Sequence, residues 1–391
     1  MPADLARATD LVMRLMAIPG PSCREAAVAE FVVEQLADAG VERSAIRFDR
    51  AHRRTGFDGN VGNLILKIKG NRRGPRRLLM AHMDTVPICV GSRPVRKNGR
   101  VASVDPKTGL GADDRAGAAV VLNTAIEIIR GGLDHPPLTF LWTIQEEIGI
   151  QGVRHMNVSQ LGRPRLSFNF DGGSPCKLTI GATGGYRMTI VVEGLASHAG
   201  GAPEQGVSAI AIAARAIADL DRHGWHGAIE KGRRRGTSNI GVIQGGAATN
   251  VVTDHVEIRA EARSHSPSFR QRIVREIEQA FLHAVGEVKN VFGVTGSVSI
   301  SGQLDYESFR LSKKEPAVRA ARDAVRAIGA EPTFFVCDGG LDANWMVVHG
   351  IPTVTLGCGQ LFQHTCDEQL DVEAFHDACR IALQLATNSS I

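Results

Sequence analysis

The sequence predicts an α/β fold: a mostly parallel-sheet domain with helices on both faces, plus an inserted smaller α+β domain with an antiparallel sheet. Two observations lead to this prediction. Apolar, strand-like segments alternate with helical segments in the first and last parts of the chain, which is typical of parallel sheets covered by helices. Between these parts, from about residue 184, the strands instead alternate apolar and polar residues, as strands with one exposed face do.

The larger domain is predicted to comprise residues 1–183 and 303–391. It begins with helices over about 3–17 and 25–39, separated by a Pro-Gly-Pro turn. The strands NLILKIKG, RRLLMAHMD, PLTFLWTIQEE and RLSFNFDGG follow, and a long helix comes after GLGADDRAG. The pattern resumes with the helix PAVRAARDAVRAIG, the strand TFFV, the helix DANWMVVHG and the strand PTVTLG.

The inserted domain is predicted to comprise residues 184–302. Its order of strand, helix, two strands, helix and strand is typical of a small antiparallel sheet with helices on one face. We expect exposed strand edges in this domain, notably GYRMTIVVEG, to pair across a two-fold axis and form a homodimer.

Composition excludes several classes of protein. The 391 residues carry a net charge of only +4, and the basic clusters NRRGPRR and KGRRRG contain no aromatic residues, so no nucleic-acid partner is expected. Seven cysteines without a C-x-x-C pair indicate reduced thiols. Charged residues interrupt the apolar N-terminal segment, and no apolar run could span a bilayer. We therefore expect a cytoplasmic protein without a membrane partner.

Polar side chains collect where the predicted strands end or the next helix begins: His82, Asp84, Asp113, Asp114, Glu146, Glu147 and Asp171. The carboxyl ends of parallel strands meet at one ligand-binding edge, where so many carboxylates cannot all ionise without a cation. Arg115 could pair with only one of them. We therefore predict a pair of divalent metal ions, zinc first, with cobalt and manganese as alternatives. Helix capping would explain Asp113 or Asp114 alone, but not the whole group.

The motifs AHMDTVP, GLGADDRAG, QEEIG, FDGG, GLASHAG and GGLDANWMVVHGIPTVTLG occur in this order between IPGPSCRE and a late histidine. Together they resemble the co-catalytic dinuclear zinc exopeptidase superfamily, which includes peptidase T, carboxypeptidase G and acetylornithine deacetylase. The resemblance extends over nearly the whole chain. It implies a catalytic metal-binding domain at 1–183 and 303–391 and a lid or dimerisation domain at 184–302.

The resemblance implies five metal ligands: His82, Asp113, Glu147, Asp171 and His364. Asp113 would bridge the two ions. His82 and Asp171 would complete one site, and Glu147 and His364 would complete the other. Three ligand carboxylates and one hydroxide would then offset the charge of two dications.

The resemblance also assigns two catalytic roles near the metal ions. Asp84 would accept the second ring N–H of His82 and so fix its tautomer. Glu146 would be the general base, taking a proton from water and passing it to the leaving amine; its alternative is an exposed terminal carboxylate. The peptide bond between Asp113 and Asp114 would be cis.

Three residues of the inserted domain match lid residues of the family. His198 in GLASHAG would hydrogen-bond the developing oxyanion, within one chain or across a dimer. Asn250 and Arg263 would hold the carboxylate of the substrate, although Asn250 could be only a turn residue. Arg259 is close enough to exchange roles with Arg263, and the strand register decides between them.

Gly339 and Gly340 precede a helix and form either an anion-binding turn or a plain tight turn. Cys366 lies two residues after His364; we assign it no role and interpret it as a packing residue.

Two substrate classes remain open at this point. Aminopeptidases and dipeptidases of the family tend to have Asp at the third ligand, as here with Asp171, which favours cleavage of short peptides, above all tripeptides. The alternative is an N-acyl or N-carbamoyl amino acid amidohydrolase. A catalytically silent binding protein would have lost a ligand or Glu146, and every expected position is filled.

Overall fold

The computed structural model describes residues 3–388, which divide into two compact units. The first comprises the chain up to Gly181, Arg310–Cys337, and the chain from Leu341 onward. The second comprises Ala182–Phe309 and Asp338–Gly340. The second unit therefore extends beyond the predicted end at 302, because its last strand continues to Tyr306.

The described residues contain nine α-helices: α1 (Leu5–Ala17), α2 (Ala26–Asp38), α3 (Ala112–Gly131), α4 (Gln151–Arg154), α5 (Ala209–Arg222), α6 (Pro267–Glu287), α7 (Pro316–Ala327), α8 (Ala343–Val348) and α9 (Val372–Thr387). Several of these helices begin with a residue whose side chain caps the first turn. Asp4 accepts the N–H of Arg7 at the start of α1, and Asp371 accepts that of Ala374 at the start of α9.

The same residues form eighteen strands: β1 (Ile46–Phe48), β2 (Leu64–Ile68), β3 (Arg77–His82), β4 (Pro94–Lys97), β5 (Arg100–Ser103), β6 (Leu138–Thr143), β7 (Leu166–Phe170), β8 (Lys177–Ala182), β9 (Gly184–Glu193), β10 (Gly227–Lys231), β11 (Arg234–Gly245), β12 (His255–Ser264), β13 (Ser297–Tyr306), β14 (Phe309–Arg310), β15 (Thr333–Cys337), β16 (Thr353–Leu356), β17 (Gln360–Leu361) and β18 (Gln369–Asp371).

The largest sheet has the strand order β1-β2-β6-β3-β7-β16-β8-β14, with β15 paired to β8. Its central strands β6, β3, β7 and β16 run parallel, whereas β2 and β8 pair antiparallel on either side of them. Every residue of the four central strands is buried, as expected for strands covered on both faces. Helices α3, α7 and α8 contact these strands. The predicted α/β fold with a mostly parallel sheet is confirmed.

A small antiparallel sheet in the first unit has the order β17-β18-β5-β4. Its strands β4 and β5 form a hairpin whose turn, Asn98–Gly99, has positive φ at both residues (51° and 77°). Asn-Gly suits such a turn because both residue types tolerate the left-handed region.

The second unit contains one antiparallel sheet, in the order β10-β11-β12-β9-β13, and the helices α5 and α6. Alternate residues of β9 and β12, such as Ile190 and Ile258, lie in one apolar core with residues of the two helices. The other face of these strands is polar and exposed, so the predicted antiparallel sheet with one exposed face is confirmed.

Two details of the sequence prediction for this unit are wrong. The segment GYRMTIVVEG, which forms β9, is not an edge strand, because β12 pairs with one side of it and β13 with the other. Alternation reveals which face is buried, but it carries no information about which strands pair. The prediction also missed β10, which forms a hairpin with β11 through the turn at Gly232.

Across the described residues, the structure contains no helix long and apolar enough to cross a membrane. All seven cysteines are free thiols, as the sequence predicts.

Candidate metal centre

The predicted metal ligands come from the ends of separate elements of the first unit. His82 is the last residue of β3, and Asp113 lies at the start of α3. Glu147 and Asp171 follow β6 and β7, and His364 lies in the loop after β17, in the left-handed backbone region with φ 63°. The strands β3, β6 and β7 are parallel, so His82, Glu147 and Asp171 lie at one edge of the sheet although they are far apart in the chain. Asp113 and His364 join them from the start of a helix and from a loop.

The five side chains form two groups that share Asp113. Its Oδ1 lies 3.3 Å from Nε2 of His82, and its Oδ2 lies 3.4 Å from Nε2 of His364. Asp171 joins the first group and Glu147 the second, and within each group the potential ligand atoms lie within 4.8 Å of one another. One carboxylate thus presents one oxygen to each imidazole, an arrangement that suits a bridging ligand between two cations. The donors are nitrogen and oxygen without sulfur, which fits Zn²⁺, Co²⁺ or Mn²⁺.

The pKa values of these groups reflect the crowding of carboxylates. Burial raises the pKa of Asp171 to about 7, and the charge of Asp113 adds to this effect. Burial alone would also raise the pKa of Asp113, but hydrogen bonds with His364 and His82 hold it below its ordinary value. Hydrogen bonds with Asp113 and Glu147 raise the pKa of His364 to about 10. The acids therefore compete for the available positive charge, which divalent cations would supply.

The role of Asp84 differs in detail from the sequence prediction. Nδ1 of His82 lies 3.1 Å from the main-chain oxygen of Asp84 and 3.5 Å from its carboxylate, so the shorter contact is to the main chain. The carboxylate accepts the hydroxyl of Ser22 at 2.6 Å and the N–H groups of Glu146 and Glu147 at 3.0 and 3.2 Å. Asp84 therefore fixes the segment that carries the predicted base and its neighbouring ligand.

The predicted general base, Glu146, follows β6 and lies close to the ligand cluster. Burial raises its pKa well above the ordinary value, and the charges of Glu147, Asp342 and Asp171 add to this shift. Glu147, by contrast, contacts His364 at 2.9 Å. A buried carboxyl group beside the metal cluster that is not itself committed to a metal position is suited to proton transfer.

The capping interpretation holds for Asp114 but not for Asp113. Asp114 Oδ1 accepts the N–H of Gly117 in the first turn of α3 at 3.0 Å, and its Oδ2 accepts the N–H of His82 at 3.1 Å. The peptide bond between Asp113 and Asp114 is cis, as the resemblance implies. The two neighbours thus divide the tasks, since Asp114 fixes the local backbone while Asp113 faces the imidazoles.

Three buried residues around the cluster were missed in the sequence. Glu368 accepts the N–H groups of Gly111 and Asp113. Gln360 donates to Asp114 at 2.8 Å and accepts the N–H of Gly172 at 2.9 Å. Asp342 accepts the hydroxyl of Thr143 at 2.5 Å. No sequence signal marks the first two, because their partners come from distant segments of the chain and include main-chain N–H groups, which every non-proline residue possesses.

The lid residues lie in the second unit. Nδ1 of His198 accepts the N–H groups of Gly200 and Gly201 at 3.1 and 3.0 Å, which assigns the ring proton to Nε2. The N–H of Ala199 donates to the main-chain oxygen of Asn250 at 2.9 Å, so the segments that carry His198 and Asn250 run side by side. Both side chains are exposed.

Arg259 and Arg263 lie on the same exposed face of β12. Arg263 forms an ion pair with Glu261 at 2.9 Å and lines a cavity of about 290 Å³, whereas Arg259 lines a separate cavity of about 370 Å³. Register alone therefore does not choose between them, because i and i+4 residues of a strand share a face.

The glycine turn and Cys366 belong to neither group of predicted metal ligands. A Cβ added at Gly340 would lie 2.7 Å from the ring of Tyr306, so close packing explains this glycine. Gly339 precedes it, and the following helix, α8, has only six residues. Cys366 is exposed, so its interpretation as a packing residue is wrong, and it belongs to neither ligand group.

Comparison with known proteins identifies the family. Residues 63–201 match the description Peptidase family M28, and residues 180–288 match the description Peptidase dimerisation domain. The YqjE protein of Bacillus subtilis is 31% identical over 92% of both chains. The aminopeptidase PepT of Bacillus cereus is 30% identical over 100% of both chains, with a TM-score of 0.85. A tripeptidase of Staphylococcus aureus is 27% identical over 99% of both chains, with a TM-score of 0.88.

The predicted resemblance to the exopeptidase superfamily is therefore confirmed, and its coverage includes both units. The chain belongs to the peptidase T-like family of metallopeptidases, which are metal-dependent hydrolases.

Proposed function

We propose that this protein is an aminopeptidase that uses two divalent metal ions to release the N-terminal residue of short peptides, above all tripeptides. The observation that carries the proposal is the position of Asp113, whose two oxygens face the imidazoles of His82 and His364. The similarity of the chain to the tripeptidase and to PepT favours peptides over N-acyl amino acids as substrates. The presence of Asp171 at the third ligand position favours the same substrate class.

The two metal sites are proposed to consist of His82, Asp113 and Asp171, and of Asp113, Glu147 and His364. Zinc is the first choice and cobalt or manganese the alternatives, since imidazole and carboxylate donors suit all three. When bound, such ions lower the pKa of water and polarise the scissile carbonyl group.

Glu146 is proposed to take the proton from the attacking water and to deliver it to the departing amine. Burial raises the pKa of Glu146, which strengthens its carboxylate as an acceptor for the proton of water. Asp84 supports the step by holding the main chain of Glu146 at 3.0 Å.

The lid residues are proposed to bind the remainder of the substrate. His198 has a free Nε2–H donor, because its Nδ1 accepts two main-chain N–H groups, and such a donor suits a developing oxyanion. Asn250 and Arg263 are proposed to bind the peptide carboxylate. Gly339 and Gly340 are proposed to form an anion-binding turn, in addition to the close packing of Gly340 against Tyr306. The oxyanion donor would come from the same chain or from a partner chain.

The test is a substrate screen with purified protein that has been stripped by a chelator and reloaded with Zn²⁺, Co²⁺ or Mn²⁺. Tripeptides with free N-termini, the same tripeptides N-acetylated, dipeptides, and N-acyl and N-carbamoyl amino acids are incubated separately, and products are identified by mass spectrometry. We expect release of the first residue from free tripeptides only, restored by metal after its loss in chelator. Turnover of N-acyl or N-carbamoyl amino acids without peptide cleavage would contradict the proposal.

The protein is also proposed to form a homodimer through its second unit and to reside in the cytoplasm. The match to a peptidase dimerisation domain supports the first statement, and seven free cysteines support a reducing compartment. In the sheet of this unit the outermost strands are β10 and β13, which are the available edges for pairing. Light scattering during gel filtration should give twice the chain mass, and a monomer at all concentrations would contradict the dimer.

A further inference from the structure

The motif IPGPSCRE has no role in the function proposed above, yet its last residue reaches the active-site segment. Glu25 is fully buried, and its Oε1 accepts the N–H of Cys23 at 3.0 Å and the N–H of Gln145 at 3.1 Å. Its Oε2 has no hydrogen-bond partner. Glu25 occupies the N-cap position of α2 but makes no side-chain cap bond there, so helix capping does not explain its side chain.

Gln145 begins a run of three main-chain N–H groups that all donate to buried carboxylates. The N–H of Gln145 donates to Glu25, and those of Glu146 and Glu147 donate to Asp84. Gln145 has φ 55°, in the left-handed region that residues other than glycine seldom adopt. A backbone in this region is maintained by contacts from outside the segment, and Glu25 provides the one that binds the N–H of Gln145.

We propose that Glu25 is a positioning residue for catalysis: by binding the N–H of Gln145 it fixes the direction in which the chain presents Glu146. The proposal rests on the function proposed above, in which Glu146 is the base. Glu25 is proposed to act as a hydrogen-bond acceptor rather than through its charge. Only its Oε1 accepts N–H groups, and its Oε2 has no hydrogen-bond partner. Burial and the charge of Asp84 raise the pKa of Glu25 to about 7, which agrees with a site that tolerates the neutral acid.

Three substitutions of Glu25 separate the effect of its hydrogen-bond acceptor from the effects of its charge and of its side-chain length. Glu25→Gln keeps a carbonyl oxygen for both N–H groups and removes the charge. Glu25→Leu keeps the volume and removes the acceptor, and Glu25→Asp keeps the charge but withdraws the carboxylate by one methylene. The exposed Glu34 on the same helix supplies the control Glu34→Leu.

We expect Glu25→Gln to keep kcat within about threefold of the wild type, and Glu25→Leu to lower kcat about 10- to 100-fold with KM and metal content unchanged. Glu25→Asp should lie between them, and it remains informative if the leucine variant does not fold. Wild-type kcat in both Glu25→Leu and Glu25→Asp would overturn the proposal. Equal losses in Glu25→Gln and Glu25→Leu, or loss of metal along with kcat, would also overturn it.

A second measurement does not depend on the substrate. Amide hydrogen exchange at Gln145, Glu146 and Glu147 should be faster in Glu25→Leu than in the wild type, and unchanged in Glu25→Gln. Unchanged exchange in Glu25→Leu would refute the positioning role even if no peptide were cleaved. Faster exchange in Glu25→Leu, together with a wild type that cleaves no peptide, would support the positioning role and place the fault in the proposed function.

Discussion

Glu368 holds the main chain of Asp113: its Oε1 accepts the Asp113 N–H at 2.9 Å. The other oxygen, Oε2, accepts the N–H of Gly111 at 2.6 Å, and Glu368 is 1% exposed. The segment that contains the proposed ligand His364 is thereby joined to the segment that contains the proposed bridging ligand. A buried acid of this kind orients a ligand without binding the metal itself.

Replacing Glu368 by alanine should therefore weaken metal binding. The substitution leaves two buried N–H groups without acceptors and frees the loop of Asp113, so we expect affinity at the site formed with His364 and Glu147 to fall about 10- to 100-fold. Calorimetric titration of the metal-free protein with Zn²⁺ measures this change. The exposed Asp367 on the same loop gives the control Asp367→Ala. Equal affinities in the two variants would show that Glu368 does not support the site.

Replacing Glu146 by glutamine should abolish most turnover but keep the metal. The amide cannot accept the proton from water, so we expect kcat to fall about 100- to 10,000-fold. Metal content, measured by atomic emission, should equal that of the wild type. Asp171→Asn is the matched comparison, since it alters a proposed ligand and should lower metal content. Loss of metal in Glu146→Gln would mean that the base and a ligand have been exchanged in our assignment.

Arg263 should contribute more than Arg259 to binding the peptide carboxylate. Removing a hydrogen bond to a charged group costs about 1.5–3 kcal/mol, so Arg263→Ala should raise KM for a tripeptide about 10- to 100-fold. A tripeptide whose C-terminus is amidated lacks the carboxylate, so its KM with the wild type should be raised by the same factor. Its KM should rise little further with Arg263→Ala, because amidation and the substitution remove the same interaction. If Arg259→Ala behaves in this way and Arg263→Ala does not, the two arginines exchange roles.

The buried carboxyl of Glu25 should make the metal-free protein less stable as the pH rises. Burial raises the pKa of Glu25 from 4.5 to about 7, so the folded state binds more protons than the unfolded state between these values. The free energy of unfolding therefore falls from about pH 4.5 to about pH 7, by up to about 3 kcal/mol for this group. Urea unfolding in chelator should show the Glu25→Gln variant gaining stability relative to the wild type across this range. Parallel curves for the two proteins would contradict the pKa shift.

The sequence by itself determined the kinds of elements and the chemistry of the proposed ligands. Mostly apolar segments such as Leu138–Thr143 became buried strands, and alternating ones such as His255–Ser264 became half-exposed strands, because burial follows the spacing of side chains. The convergence of His82, Glu147 and Asp171 could also be predicted, since each ends or follows a parallel strand and such strands deliver their carboxyl ends to one edge. His364 was assigned only through the resemblance to the family. These properties belong to side chains and are visible in the residue types.

Only the tertiary structure decided how the segments are held together. The roles of Glu25 and Glu368, and the contacts of the Asp84 carboxylate, depend on main-chain N–H groups supplied by distant segments. The central position of β9 likewise depends on strands that follow it in the chain. Every non-proline residue offers the same main-chain N–H and C=O groups, so the residue types do not record which of them will meet. That choice is made by the packing of the whole chain.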